Sequence, residues 1–364
     1  MIDKENISLE WMMKIAKANK TTDKILVEKV IRALLLLEGL VIHKIPFIFK
    51  GGTALMLHLN SSKRLSIDVD IIISEQIDDL EQRLEIIAKE QIFNRVEPQH
   101  RETKSKIEKS HYKFYYTPLH KTNKEEEYIL LDILFEKNQY QKIIELPIQS
   151  KFVPITGVPL YVKLPSIEGL LGDKLTAFAP NTTGIPYFKK NDSMSMEIIK
   201  QLYDIDTLFD KVEEFDVVKA TFFQFAETEL AYRNRDKTVE DVLEDIYQTS
   251  LCIVSRGIGG NGNFDELLFG IKRVSGFIFS ENYHIEKAII SASKAAYLST
   301  LIKHNATQIE KFNNPLQIKD WTISEPLNNK FNKLKKSNPE AFFYWYKIFE
   351  IKNEKLEAIR KVFN

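Results

Sequence analysis

Hydrophobic residues follow two different spacings along the chain, and the spacing changes near residue 165. Before that point, short apolar runs of strand length surround one long helical pattern. After it, apolar residues recur at three- and four-residue intervals almost throughout. The sequence therefore predicts an α+β lobe with a small mixed sheet, followed by a mostly helical C-terminal lobe. We expect the lobes to cover residues 1–155 and 156–364, because prolines and glycines interrupt the pattern over residues 153–165.

The first long pattern predicts a helix over residues 21–43, with capping oxygens from Thr21, Thr22 and Asp23. A short buried strand, "FIF", then runs into a glycine pair at residues 51–52. The segment "TALMLHL" directly after this pair predicts a second helix. The sequence thus places two glycines at a junction between a strand and a helix.

Further strands are predicted from alternation and composition. The segment "LSIDVDIII" turns apolar side chains to one side and Asp68 and Asp70 to the other. The segments "KIEKSHYKFYYTP" and "EEEYILLDILFE" flank the polar turn "LHKTNK", which indicates an antiparallel hairpin with Asp132 in the middle of its second strand. The helices of the C-terminal lobe begin with Ser166 as a cap. Later helical patterns cover residues 196–210, 216–255, 264–278, 285–303 and 339–361.

Composition and charge limit the class of protein. Hydrophobic content of 44% is typical of a globular chain, and 51 basic residues balance 51 acidic ones, which excludes a uniformly basic surface but not a local basic face. Cys252 is the single cysteine, so a disulfide or a cysteine-based zinc site within one chain is excluded. Because no signal peptide or membrane-spanning pattern is found, we expect a soluble cytoplasmic protein without a membrane partner.

The two aspartates of the predicted strand are the first candidates for chemistry. Asp68 and Asp70 point to the same face, and two such carboxylates repel unless a proton or a cation lies between them. Mg²⁺ takes oxygen ligands, usually one or two carboxylates plus substrate phosphates. Asp132 on a neighbouring strand would complete a site for two ions about 3.5–4 Å apart. The alternative is an ordinary solvated strand face.

The glycine pair is the second candidate. Gly51 and Gly52 leave backbone N–H groups uncovered at the start of a helix, where the helix dipole favours phosphate, and Thr53 adds a hydroxyl donor. This turn would hold the β- and γ-phosphates of an NTP while the metal ions hold the α-phosphate and the attacking oxygen. No G-K-[ST] follows the glycines, which excludes a Walker P-loop. An ordinary tight turn is the alternative.

The stretch "FKGGTAL…RLSIDVDI" resembles the signature of the AbiEii/AbiGii-type nucleotidyltransferases, a branch of the DNA-polymerase-β-like superfamily. The matching residues are Gly51-Gly52-Thr53, Arg64, Ser66, Asp68 and Asp70. Downstream, "SIEGLLGDKLTAFAP" resembles the family's second block, whose lysine corresponds to Lys174. The segment "IIKQLYDIDTLF" is similar to a third block and implies Lys200 and Asp204 as site residues, although Gln201 stands where an aspartate is frequent.

The resemblance implies an enzyme that moves an NMP from an NTP to an acceptor hydroxyl, with two Mg²⁺ ions held by Asp68, Asp70 and Asp132. It implies RNA, such as the 3′ end of tRNA, as the acceptor. It also implies a toxin role in a type IV toxin–antitoxin or phage-defence system, with a separately encoded antitoxin that need not touch the toxin. Two alternatives stay open: transfer to a small molecule or a protein hydroxyl, and a catalytically silent nucleotide-binding or interaction protein.

Several site residues have an ordinary structural interpretation beside the functional one. Arg64 would pair with a carboxylate or a phosphate, or be a surface charge at a strand end. Ser66 would donate to phosphate or fill space. Lys174 would neutralise triphosphate charge or extend along the surface, with Asp204 orienting a lysine or reaching the nucleotide. Lys200 and Asp204 are four residues apart, which also suits a plain ion pair within a helix.

Two other motifs have no place in this interpretation. The segment "GIGGNGN" at residues 257–263 precedes no βαβ pattern, so it predicts a loop between helices rather than a dinucleotide fingerprint. The lysine-rich segment "NKFNKLKKSN" at residues 329–338 and the basic segment "RETKSKIEKSHYK" at residues 101–113 suit either an RNA groove or a solvated face.

Overall fold

The computed structural model divides the chain into two compact units. The first contains residues 1–170 and 276–282, and the second contains residues 171–275 and 283–364. The structure describes every residue except 19–22, 60–63, 100–107, 121–122, 234–235, 280, 326 and 364. For residues 355–363 it describes the backbone but not the side chains. Thr21 and Thr22, predicted as helix caps, therefore lie outside the described residues.

Two N-terminal helices, α1 (Leu9–Ala18) and α2 (Lys24–Ile42), open the first unit. The Asp23 side chain accepts a hydrogen bond from the Ile25 N–H, which confirms this residue as the cap of α2. Buried residues occur all around α2, as its nearly continuous apolar sequence predicts, so the helix forms the centre of this unit's core.

A five-stranded mixed sheet packs in the same core. Its strands are β1 (Ile48–Lys50), β2 (Val69–Ile73), β3 (Arg95–Pro98), β4 (Glu108–Tyr116) and β5 (Glu127–Phe135), in the spatial order β1-β2-β5-β4-β3. The β2 and β5 strands run parallel, and the other neighbours are antiparallel. The predicted hairpin is confirmed as β4 and β5. The β2 strand is shorter than predicted, because its pairing within the sheet begins only at Val69, and the Leu65 N–H donates instead to the Phe277 carbonyl.

The remaining elements of the first unit connect and cover the sheet. They are the helices α3 (Gly51–Leu59) and α4 (Leu80–Glu90), the strand pair β6 (Ile143–Pro147) and β7 (Tyr161–Pro165), and the start of α5 (Ile167–Ala177). The change of unit comes between Leu170 and Leu171 rather than after residue 155. The reason is that β7 pairs with β6, which ties much of the expected hinge to the first unit.

The second unit is helical apart from one two-stranded ribbon, β8 (Phe188–Lys189) and β9 (Asp192–Ser193), among its described residues. Three short 3₁₀ helices also occur in the chain, at Ser275–Phe277, Pro315–Ile318 and Asn329–Lys333. The α-helices that follow α5 are α6 (Ser195–Phe209), α7 (Phe215–Arg233), α8 (Val239–Val254), α9 (Phe264–Val274), α10 (Ile285–Lys303), α11 (Leu334–Ser337) and α12 (Pro339–Phe363).

The fold class is confirmed: a small mixed sheet with helices comes first, and a helical region follows. The segment at residues 257–263 is the loop between α8 and α9, as predicted. Over the described part of the chain, no helix combines the length and apolar character that crossing a bilayer requires.

Candidate active site

A row of four ionisable side chains crosses the sheet of the first unit. Asp70 on β2 is in register with Lys50 on β1 and with Asp132 on β5, and Asp132 is in register with His111 on β4. Residues in register point to the same face of a sheet, so these four side chains form one continuous polar strip. Asp68 lies directly before β2, which begins at Val69, and is partly buried.

The Asp132 carboxylate has a fixed partner within this row. Its Oδ1 lies 2.5 Å from Nδ1 of His111, and both side chains are partly buried. Sequence reasoning missed His111 because the seven histidines have no recognisable spacing. The register of the β4–β5 hairpin is the signal that places it opposite Asp132. Lys50 was missed too, and it lies over the Tyr140 ring at 5.9 Å.

The glycine turn contacts the Asp70 carboxylate directly. Gly51 has a φ of +80°, and a Cβ built on it would lie 2.1 Å from Oδ2 of Asp70. A side chain here would collide with the carboxylate and strain the backbone, so only glycine fits. The α3 helix begins at Gly51 itself, so the uncovered N–H groups of its first turn lie beside Asp70. The predicted junction of glycines and carboxylates is therefore present.

Gly52 makes an equally close approach to the segment before β2. A Cβ on Gly52 would lie 2.6 Å from Oγ of Ser66 and 2.7 Å from Nη2 of Arg64. The Arg64 side chain is buried, with Nη1 donating to the Leu65 carbonyl, so it is not the surface charge of the alternative interpretation. Arg64 and Ser66 therefore line the turn from one side, as Asp70 does from the other.

Thr53 is buried, and its hydroxyl donates to the backbone carbonyl of Asp68 at 2.6 Å. A hydroxyl has one proton to donate, so in this structure that proton holds α3 to the carboxylate segment. The role of Thr53 seen here is to position Asp68. The sequence predicts that the Thr53 hydroxyl donates a hydrogen bond to a phosphate. That role would require the hydrogen bond to the Asp68 carbonyl to break.

The donor set suits a hard divalent cation, since Asp70 and Asp132 bring carboxylate oxygens side by side. Across the residues that the structure describes, no three His, Cys, Asp or Glu side chains come together as a metal-holding group. Mg²⁺ commonly completes its coordination with substrate phosphates and water, so a pair of carboxylates beside the first turn of a helix still fits it.

His58 lies on the same helix as the glycine turn. Its Nε2 lies 2.7 Å from the Pro165 carbonyl, so the neutral ring donates a hydrogen bond there. Burial lowers the pKa of His58, and the bond to Pro165 and the charge of Glu168 only partly offset this effect. The imidazole is therefore a neutral connection between α3 and the end of β7.

The predicted site residues of the second unit form a buried cluster of their own. Nζ of Lys174 lies 3.1 Å from Oδ2 of Asp204 and donates to Oε1 of Gln201 at 2.9 Å. Side-chain exposure is 8% for Lys174 and 1% for Asp204, so Lys174 is not a surface lysine. Gln201 thus keeps a polar contact at the position where an aspartate is frequent.

Lys200 and Asp204 each have a further ion-pair partner. Lys200 lies 3.0 Å from Glu197, one turn earlier on α6, and Asp204 lies 3.1 Å from Lys174. The interpretation in which Asp204 orients Lys174 agrees with the contacts.

The family model described as "Nucleotidyl transferase AbiEii toxin, Type IV TA system" matches residues 35–274, which is well over half of the chain. The chain belongs to the AbiEii family. As an AbiEii protein it is a nucleotidyltransferase of the toxin class, and the resemblance inferred from the glycine and aspartate motifs is confirmed. None of the curated proteins matches the sequence.

Three solved structures resemble this AbiEii protein. MenT4, a nucleotidyltransferase toxin from Mycobacterium tuberculosis, is 11% identical with a TM-score of 0.51 over 80% of this chain and 89% of its own. JHP933 from Helicobacter pylori is 18% identical with a TM-score of 0.39 over 76% and 90%. A candidate nucleotidyltransferase from H. pylori is 18% identical with a TM-score of 0.42 over 79% and 97%. All three sequence identities are low, and only MenT4 has a TM-score above 0.5. The MenT4 structure therefore supports the fold of this chain and nothing further.

Proposed function

We propose that this AbiEii protein transfers an NMP from an NTP to a hydroxyl of RNA, with the 3′ end of tRNA as the acceptor and Mg²⁺ as the cofactor. The observation that carries the proposal is the contact of the glycine turn with Asp70, which stands beside Asp132 on the neighbouring strand. A phosphate-binding backbone and a carboxylate pair in one place are what this reaction needs.

In the proposed reaction, the acceptor oxygen attacks the α-phosphorus in line. The new P–O bond forms as the bond to the β-phosphate oxygen breaks, and pyrophosphate leaves. Asp132, held by His111, is placed to take the hydroxyl proton. Mg²⁺ ions bound by Asp68, Asp70 and Asp132 would neutralise phosphate charge and make the hydroxyl more acidic. The N–H groups of the glycine turn would stabilise the charge on the leaving pyrophosphate.

Arg64 and Ser66 are proposed to support the same phosphates, because both contact the Gly52 side of the turn. Lys174 and Lys200 remain proposed ligands of the triphosphate. What supports Lys174 is a buried amino group that Asp204 and Gln201 hold in one position, since a fixed cation binds phosphate better than a mobile one. The toxin would be neutralised by a separately encoded antitoxin, as the type IV family implies.

The test is to incubate the purified chain with Mg²⁺, total tRNA and each α-³²P-labelled NTP in turn. The informative variant is Asp70→Asn, and the matched control is Asp78→Asn, the same change at an exposed aspartate. Label in tRNA with the native chain and the Asp78→Asn variant, but not with Asp70→Asn, is expected. Label in protein or in small molecules instead would favour the other acceptors. If the chain neither transfers a nucleotide nor binds NTP, the result would favour an interaction protein without catalytic activity.

A further inference from the structure

Two motifs that the reaction does not use come together in the second unit. One cavity of about 590 Å³ lies between them. It is lined by the residues that follow α8, up to Gly259 in the glycine-rich loop, and by the lysine-rich 3₁₀ helix at Asn329–Lys333. Lys352 on α12 completes its wall. The volume lies in the range of ligand pockets, and the lining comes from three separate segments of chain.

The charged residues among the described lining of the cavity are all basic. Arg256, Lys330, Lys333 and Lys352 line it, and no aspartate or glutamate occurs among its described lining residues. Arg256 is paired with Glu286 outside the lining. The three lysines form no ion pair with any residue that the structure describes.

Lys330 and Lys333 are exposed, unlike Lys294 on α10, a buried cation of the same unit. Lys294 is surrounded by carboxylates of Asp206, Asp210 and Glu340 within 3.1 Å, so its charge is compensated within the fold. Lys330 and Lys333 bring positive charge to the cavity without carboxylates of that kind, and positive charge gathered in one concave surface attracts an anion.

The lysine-rich wall is built rigidly. Phe331 stacks on the buried Trp345 ring, with centroids 4.4 Å apart and planes within 14° of parallel. Asn332 exchanges hydrogen bonds with the backbone of Ile323. Lys330 and Lys333 are one 3₁₀ turn apart, so they extend on the same side, about 6 Å apart along the axis. The two charges are therefore displayed in a fixed spacing rather than on a mobile tail.

The opposite wall holds a partly buried cation. Nζ of Lys352 lies 3.8 Å from the centre of the Tyr247 ring. Burial lowers the pKa of Lys352, and the charge of Glu244 offsets part of this effect. The loop edge is pinned as well, because Ser255 and Gly259 exchange two hydrogen bonds.

We propose that this cavity binds the phosphate backbone of an RNA strand. Lysines act as point charges toward phosphate, and Gln248 and Asn328 are the only amide side chains among the described lining residues, which suits recognition without base sequence. The inference rests on the proposed function in one respect: RNA is chosen over an acidic peptide because the proposed acceptor is RNA. The cavity shares no residue with the proposed NTP site.

The test measures RNA binding directly, without catalysis. A fluorescent single-stranded RNA is titrated with the full chain by anisotropy, without Mg²⁺ or NTP, over a series of salt concentrations. The variant Lys330→Gln/Lys333→Gln is compared with Lys336→Gln, a control in the same segment whose exposed side chain lies outside the lining. We expect roughly tenfold weaker binding in the double variant, and a plot of log Kd against log salt that is less steep by about 2.

The outcomes separate this proposal from the proposed reaction. A double variant that binds RNA like the native chain overturns the cavity site, even if the native chain labels tRNA. Weakened binding in the double variant supports it, even if no nucleotide is transferred. Competition experiments distinguish the sources of the anion. Unlabelled RNA should displace the fluorescent RNA from the chain. Equal displacement by inorganic phosphate, an NTP or polyglutamate, each at the same concentration of negative charge, would overturn RNA as the ligand.

Discussion

His111 shows how much one residue adds to the carboxylate row. Its imidazole is within 2.5 Å of Asp132, the residue proposed to receive the hydroxyl proton. A partner that holds a carboxylate in one rotamer commonly changes metal affinity and activity by about 10–100-fold when it is removed. His111 therefore belongs to the positioning residues of the site, although no sequence motif marks it.

We expect His111→Leu to lower the rate of transfer by about 10–100-fold and to raise the Mg²⁺ concentration needed for half-maximal rate. His111→Asn should retain much of the activity, because its amide N–H reaches a similar position to Nδ1. The measurement is the initial rate against Mg²⁺ concentration. Equal losses in both variants would contradict a role through the hydrogen bond.

The Lys174–Asp204 pair gives a second prediction at this scale. Lys174→Met leaves the Asp204 carboxylate buried without its cation, which should lower the free energy of unfolding by about 3–5 kcal/mol. Lys200→Met is the control, since its partner Glu197 is 34% exposed and the loss should be under about 1 kcal/mol.

Denaturant unfolding of both variants checks the prediction. The double variant Lys174→Met/Asp204→Leu should recover most of the stability, because no unpaired charge remains. Equal stability of the Lys174 and Lys200 variants would show that the Lys174 pair is not buried as described.

At the scale of elements, the turn from β1 into α3 depends on its first glycine. Gly51→Ala introduces a Cβ 2.1 Å from Oδ2 of Asp70, at a φ of +80°. We expect loss of transfer activity together with roughly 1–3 kcal/mol of destabilisation. Gly157→Ala is a matched control, because its φ is also positive, +63°, but its Cβ would meet nothing within 4 Å.

Rates and unfolding free energies of the two glycine variants separate backbone strain from contact. Strain alone would affect both stabilities and leave activity intact. Loss of activity in the Gly51 variant only is the result expected from its contact with Asp70.

The connection of α3 to β7 through His58 gives a pH dependence. The folded chain lowers the pKa of His58, whereas the unfolded chain binds a proton near pH 6.5. As pH falls below about 6.5, the unfolded state gains a proton that the folded state excludes, so the free energy of unfolding decreases. This loss continues until the pH reaches the folded-state pKa.

His58→Gln keeps an amide donor for the Pro165 carbonyl but does not titrate. Denaturant unfolding between pH 7.5 and 5 should therefore show a smaller loss of stability in this variant than in the native chain. A variant with the native pH dependence would contradict the assignment to His58.

At the scale of the whole molecule, a late segment of the chain completes an early one. Residues 276–282 belong to the first unit, where the Leu65 N–H donates to the Phe277 carbonyl at 3.0 Å and Arg64 bridges Ile278. This bridge orders the residues just before the carboxylates. The unit that holds the candidate site is therefore not one continuous piece of sequence.

Ile278→Pro should weaken this bridge, since proline cannot donate a backbone hydrogen bond. We expect faster hydrogen exchange at Leu65 and reduced transfer activity in the full chain. Ile278→Ala, which removes most of the same side chain but keeps the backbone N–H, serves as the control. Unchanged exchange at Leu65 in the Ile278 variant would contradict the role of the bridge.

Local physical chemistry alone determined much of this protein. Alternation and helical spacing predicted the hairpin, α2 and the C-terminal helices, because apolar periodicity reflects which face is buried. The spacing of Asp68 and Asp70 and the glycine pair predicted a junction of glycines and carboxylates, since strand geometry and glycine freedom act over a few residues.

Only the tertiary structure decided the partners. Pairing of β2 with β5 placed Asp70 beside Asp132, and hairpin register placed His111 there too. Packing of α5 and α6 brought Asp204 to Lys174. It also brought the glycine-rich loop and the lysine-rich 3₁₀ helix to one cavity. These contacts join residues far apart in the chain, and their energy depends on burial and register that no local pattern encodes.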